Sequence, residues 1–96
     1  MKLINISPEH DNKYKLRVIL LDKGHYKTVT FGAYGYDDYT ITNDSDKKKA
    51  YLARHKPRED WTKSGILTKG FWSRWILWNK HTIPQSVYDV IKRFNL

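Results

Sequence analysis

The stretch from Lys13 to Phe31 leaves the chain little choice of local structure. Tyr14, Leu16, Val18 and Leu20 alternate with Lys13, Lys15 and Arg17, the period of two that makes a strand with one apolar face. Asp22-Lys23-Gly24-His25 follows, a turn with glycine at a late position, which is good hairpin chemistry. His25–Phe31 returns as a second alternating strand, with Tyr26, Thr28 and Thr30 on one side and Lys27, Val29 and Phe31 on the other. Ahead of the hairpin, Lys2–Ile6 is a short apolar run broken by Ser7-Pro8-Glu9, and it predicts a further strand.

Gly32-Ala33-Tyr34-Gly35 then predicts a turn leaving the second strand. No Lys-Ser/Thr pair follows it and no long helix opens there, so it is not a phosphate loop. Asp38–Thr42 reads as a short edge strand. From there the pattern is helical. Asn43-Asp44-Ser45-Asp46 supplies N-cap side chains and acids for a first turn. A helix over Lys47–His55 ends before Pro57, with the Lys47-Lys48-Lys49 run facing water. Arg58–Trp61 reads as one more turn and Thr62–Lys69 as a polar connector. Thr82-Ile83-Pro84-Gln85 has the pattern of a capping box, opening a helix with Ile83, Val87, Val90, Ile91 and Phe94 on one stripe. The expected fold is α+β: an N-terminal antiparallel β-hairpin or small sheet packed against two or three C-terminal helices, in a single domain over residues 1–96.

Between those helices, Gly70-Phe71-Trp72-Ser73-Arg74-Trp75-Ile76-Leu77-Trp78 holds three of the four tryptophans. As an α-helix it would put Phe71, Trp75 and Trp78 on one face, Trp72 and Ile76 beside them, and Ser73, Arg74 and Leu77 opposite. A helix apolar almost all round is the centre of a small core. The competing reading is a stacking platform for bases or an anchor for a protein partner.

Composition narrows the function. Eighteen Lys and Arg against ten Asp and Glu give a net charge of +8, the balance of a chain that meets polyanions. Thirteen of the eighteen are lysines. Lysine neutralises phosphate as a point charge without reading bases, so such binding is sequence-independent and salt-sensitive. The basic residues concentrate at Lys47, Lys48, Lys49, Arg54, Lys56 and Arg58, with Tyr51 and His55 among them. On a helix and its exit they line one phosphate-facing side, and Arg74 can reach a phosphate from the aromatic segment. Lys13, Lys15 and Arg17 extend the patch, and Tyr34, Tyr36, Tyr39 and Tyr51 are candidates to stack on unpaired bases. The plainer reading is a solvated helix face with local ion pairs. Aromatics at 15% exclude wholesale disorder. The longest apolar run, Val18–Leu21, is far too short for a membrane span. No apolar signal-peptide stretch opens the chain, so secretion is not expected. With no cysteine, disulfides and thiolate chemistry are excluded.

Catalytic residue types cluster in one place, Arg54-His55 followed by Arg58-Glu59-Asp60. His55 and Glu59 are four apart, the spacing of two ligands on one helix face. Pro57 lies between them and is expected to spoil that geometry, leaving Glu59 to pair with Arg54 or Arg58. No second carboxylate pair and no nuclease spacing accompanies them. His10, His25 and His81 are scattered. The reading is therefore non-enzymatic, with no catalytic residue, cofactor or metal.

Several segments together have a familiar look: Thr30-Phe31-Gly32 with Gly35 and Asp38-Tyr39-Thr40; Tyr51-Leu52-Ala53-Arg54-His55 with Arg58-Glu59-Asp60-Trp61; and Gly70-Phe71-Trp72-Ser73-Arg74-Trp75 through Trp78-Asn79-Lys80. They resemble an uncharacterised family of small basic proteins encoded by nucleocytoplasmic large DNA viruses, over about residues 29–94. The resemblance brings no activity with it. It implies a viral protein made in host cytoplasm or a viral factory, and used in genome packaging or inside the virion. Two functions are carried forward. One is a non-enzymatic nucleic-acid-binding protein, DNA favoured over RNA. The other is a virion structural or assembly protein acting through an aromatic protein–protein interface.

Overall fold

The computed structural model describes residues 1–96. Strands β1 (Lys2–Pro8), β2 (Tyr14–Asp22) and β3 (His25–Ala33) form an antiparallel meander in that spatial order. Lys23 and Gly24, between β2 and β3, both have positive φ, 51° and 81°, as a type I′ turn requires. Leu16 lies opposite Phe31, and Val18 opposite Val29 and Ile6. One sheet face is therefore apolar, and Leu16, Val18, Leu20, Val29 and Phe31 are all buried on it. β1 runs two residues beyond the expected Ile6, to Pro8. Its edge position tolerates a proline at the end.

The edge strand expected over Asp38–Thr42 is a helical turn, α1 (Tyr39–Thr42). Asp38 is its N-cap, accepting from the Thr40 N–H at 2.9 Å and from the Thr40 hydroxyl. Its other carboxylate oxygen pairs with Lys15 Nζ at 2.7 Å. A capping carboxylate offers the backbone a local alternative to a ladder, and here it overrides the β-branched composition. Helix α2 (Ser45–His55) is capped by Asp44, carries Asp46 in its first turn, and exits through a 3-10 turn at Lys56–Arg58. The one further turn expected over Arg58–Trp61 is absent, since Glu59 is already extended, with φ −130° and ψ 149°.

The aromatic segment departs from a plain α-helix. α3 (Lys69–Trp72) runs into a π turn over Ser73–Leu77, closed where Trp78 N–H donates to Ser73 O at 3.1 Å. A π turn is wider than an α turn, so it changes which residues share a face. Phe71, Trp72, Ile76 and Leu77 are buried, while Trp75 and Trp78 are only half-buried. Leu77, expected opposite the apolar face, is in the core. It lies against Gly32, whose φ is +77° and where a Cβ would come within 2.6 Å of Leu77 Cδ1. Helix α4 (Ile83–Phe94) is capped by Thr82, which accepts from Gln85 N–H at 3.2 Å, and Pro84 sits in its first turn. Ser86 and Val90 are its fully buried residues; Ile83, Val87 and Phe94 pack at the core edge, and Ile91 is left exposed. The result is α+β, a three-stranded sheet covered on one face by C-terminal helices, two of the four being single turns. No helix is long and apolar enough to cross a membrane.

Candidate nucleic-acid interface

Between the open end of the β2–β3 hairpin, helix α2 and the α3–π segment lies a cleft of about 400 Å³. That falls in the size range of small-molecule sites, roughly 300–1,000 Å³. Its geometry starts from Tyr51, the buried side chain of α2. The Tyr51 ring stacks on Trp78 at 4.3 Å and 7°, and on His55 at 4.0 Å and 21°. This three-ring pile fastens the end of α2 to the aromatic segment and turns His55 toward the cleft.

Burial pushes the Tyr51 phenol up to about 12, helped by the negative Glu59 nearby. In the unfolded chain it would ionise near 10. The stability this contributes is complete below pH 10 and is lost as pH rises toward 12. A phenolate absorbance titration should therefore show one late tyrosine, and Tyr51→Phe should remove that step. A Tyr51→Phe trace identical to the parent would show that the phenol is not shielded.

Glu59 orients the imidazole. His55 Nδ1 lies 2.9 Å from Glu59 Oε2, and Glu59 Oε1 accepts from Trp61 Nε1 at 2.9 Å. Pro57 does not spoil this pairing. It sits in the first positions of the 3-10 turn, where a missing N–H costs nothing. The turn swings Glu59 back to His55, so Glu59 pairs with neither Arg54 nor Arg58. Gly70 makes room for the carboxylate, since a Cβ there would come within 2.6 Å of Glu59 Cδ. An imidazole held at Nδ1 by a carboxylate is fixed in orientation, with Nε2 left to accept or donate a proton. No group of three His, Cys, Asp or Glu side chains gathers anywhere in the fold.

The basic residues divide into two sets. Lys47, Lys49, Arg54, Lys56 and Arg58 are exposed, with no ion pair and no side-chain hydrogen bond. Lys48 does not face water as the run predicts. Its Nζ donates to Asn79 O at 2.6 Å and lies 4.8 Å from the Tyr39 ring. Burial, with the charges of Arg74 and Lys80, holds its ammonium below the usual lysine value. Arg74 is likewise turned inward. It donates to Trp78 O at 2.8 Å and lies over Trp75 at 4.2 Å and Trp61 at 5.4 Å. It serves as a buttress for the aromatic segment rather than as a free cation. Lys15 is engaged by Asp38, and Arg17 is half-buried while Lys13 stays exposed. Of the candidate stacking rings, Tyr39 and Tyr51 are buried, whereas Tyr34 and Tyr36 are 57% and 72% exposed.

The cleft thus joins Arg54 and His55 to residues the sequence did not single out. Lys69 lines it from the start of α3, its Nζ donating to Thr30 O and Thr30 Oγ1 at 2.8 Å each and lying 4.0 Å from the Tyr14 ring. Asp37 lines it beside Tyr36. The one available signal was Thr68 ahead of Lys69-Gly70. Thr68 caps α3, which starts the helix one residue before Gly70 and sets Lys69 in its first turn.

No curated protein and no solved structure matches this chain. Residues 4–55 match a family of unknown function, DUF5754. The matched stretch takes in most of the strand region 1–28, which the viral resemblance leaves aside, and ends at His55. It spans just over half of the chain, and the protein belongs to this family of unknown function.

Proposed function

We propose that the protein binds nucleic acid without cutting it, through the sugar–phosphate backbone, on the surface formed by α2 and its exit. The observation that carries this reading is the set of exposed, unpartnered cations at Lys47, Lys49, Arg54, Lys56 and Arg58. Of the three ion pairs in the molecule, only those of Lys15 and Arg93 use a lysine or arginine. The charge of +8 is thus largely uncompensated by local pairing. Lys47 and Arg54 are seven apart on α2 and share one face, while Lys49 and Lys56 share another about half a turn round the helix, so the cations flank α2 on two sides instead of lining the single side expected from the sequence. DNA is favoured over RNA, and the viral resemblance directs the role to genome packaging or the viral factory. A virion-assembly role through an aromatic interface would use the Trp-rich segment together with the tyrosine-rich loop, of which Tyr34 and Tyr36 are exposed. Burial of Phe71 and Trp72, both 0% exposed, counts against it.

The test is fluorescence anisotropy with duplex DNA, single-stranded DNA, RNA and heparin, at low and physiological salt. Binding to one nucleic acid should survive physiological salt and exceed that to heparin. Replacing Lys49, Arg54 and Lys56 by Gln should flatten the log–log salt slope by about 0.7–0.9 for each phosphate no longer neutralised. Binding equal to that of heparin and gone at physiological salt would mean only that the protein is basic.

A further inference from the structure

We infer that the cleft between the hairpin end, α2 and α3 takes one unpaired nucleotide of a bound strand, with its phosphate on Arg54 and Lys69 and its base on Tyr36. This rests on the nucleic-acid reading above and names the part of the strand that enters the protein. Three features of the cleft carry it. Its volume, about 400 Å³, has room for a single nucleotide and excludes a duplex. Its cations come from separate elements: Arg54 from α2, with no partner, and Lys69 from α3, bonded only to the neutral oxygens of Thr30. Lys15 is in the same cleft but its charge is already met by Asp38. Neither cation is held in an ion pair, although the Asp37 and Glu59 carboxylates line the same cleft, and two such free cations suit a phosphate group.

The third feature is the ring. Tyr36 lines the cleft and is 72% exposed, so a base can cover it at little desolvation cost. Of the other rings of the cleft, Tyr51 is stacked between Trp78 and His55, and Tyr14 is half-buried beside Lys69. An exposed ring beside a cationic groove is how proteins without base readout hold single strands. Asp37, also in the cleft, is exposed and without an ion pair. Its carboxylate opposes phosphate entry, so the limit to one nucleotide comes from the size of the cleft and not from its charge. Strand ends, loops and melted segments present such a nucleotide; the interior of a duplex does not.

Competition with adenosine monophosphate, adenosine and inorganic phosphate against a labelled single strand tests this, alongside binding of a blunt, hairpin-capped duplex. Adenosine monophosphate should compete, and adenosine and inorganic phosphate should compete far less. Tyr36→Ala should weaken single-strand binding about tenfold and leave the duplex within about twofold. Arg54→Gln should remove competition by the nucleotide, while Lys27→Gln, an equal loss of charge elsewhere on the sheet, should leave it intact. If the nucleotide fails to compete and Tyr36→Ala affects both strands alike, the cleft assignment falls while salt-resistant strand binding keeps the wider reading. If the nucleotide binds directly but no strand does, the assignment to a nucleotide of a bound strand falls together with the wider reading. If nothing binds, both fall.

Discussion

Replacing Trp72 by alanine should cost about 3–5 kcal/mol of stability, the range for emptying a fully buried large aromatic. The indole is 0% exposed and is the largest side chain wholly inside the core. It meets Phe31 of β3 at 6.3 Å and Phe71 at 5.1 Å in an edge contact. Its Nε1 donates to Ile66 O at 2.6 Å. It therefore joins the sheet, the aromatic segment and the loop ahead of α3 in one residue. Small domains have only about 5–15 kcal/mol in total, so the variant should sit near the edge of unfolding at room temperature. The measurement is a urea midpoint at unchanged m-value. Trp72→Phe separates the two components. It keeps most of the volume but leaves the Ile66 carbonyl without its donor, which should cost about 1–3 kcal/mol. A loss below about 1 kcal/mol for the alanine variant would show that the neighbours collapse into the space, and that the core does not depend on this indole.

What the sequence makes legible follows from which interactions are local. The hairpin is readable because Leu16, Val18 and Leu20 declare the period and Lys23-Gly24 declares the turn. The caps of α2 and α4 are readable because Asp44 and Thr82 reach only their own first turns. Asp38 had the same cap chemistry, but its Lys15 partner is 23 residues away, and the β-branched residues after it suggest a strand. The π turn is less legible still. It lets Phe71, Trp72, Ile76 and Leu77 all reach the core, at a spacing no 3.6-residue template matches. The fate of the basic residues depends on the same distant partners. Nothing local distinguishes Lys48 from Lys47 and Lys49, yet Lys48 meets a carbonyl 31 residues away and its neighbours meet water. The cleft joins the sheet end, α2 and α3, so only the His55–Glu59 half of it has a signature in the spacing.

Gly65→Ala should be the most damaging glycine substitution, costing about 3 kcal/mol, at the upper end of what overpacking usually costs. The reason is space and not φ. Gly65 is buried in the 3-10 turn Lys63–Gly65, and a Cβ there would fall well inside van der Waals contact with the Asp60 carbonyl oxygen and within 2.9 Å of the Asp60 carbonyl carbon. Backbone cannot swing away as a side chain can. The Asp60 segment is held by Thr62, whose N–H donates to the Asp60 carboxylate at 2.9 Å, and by Trp75 Nε1, which donates to Trp61 O at 2.8 Å. The Thr62 hydroxyl, which also donates to this carboxylate, and the Thr62 N–H together keep the Asp60 carboxyl below its ordinary value. Gly65 is itself pinned, its carbonyl accepting from Thr68 N–H at 3.0 Å and from the Thr68 hydroxyl at 2.7 Å. Gly24→Ala supplies the contrast. Its φ is +81° but nothing lies within 4 Å of the added Cβ, so it should cost only about 1 kcal/mol of backbone strain. At roughly 4–8 °C per kcal/mol for a domain of this size, the two melting temperatures should differ clearly. The larger fall belongs to Gly65→Ala; the reverse order would mean that the Asp60 loop yields freely. Because Glu59 precedes Asp60 directly, a displaced loop must also loosen the carboxylate that holds His55. The His55 ring resonances should therefore shift in Gly65→Ala and stay in place in Gly24→Ala, and in that way the substitution would connect the packing of the connector to the geometry of the cleft.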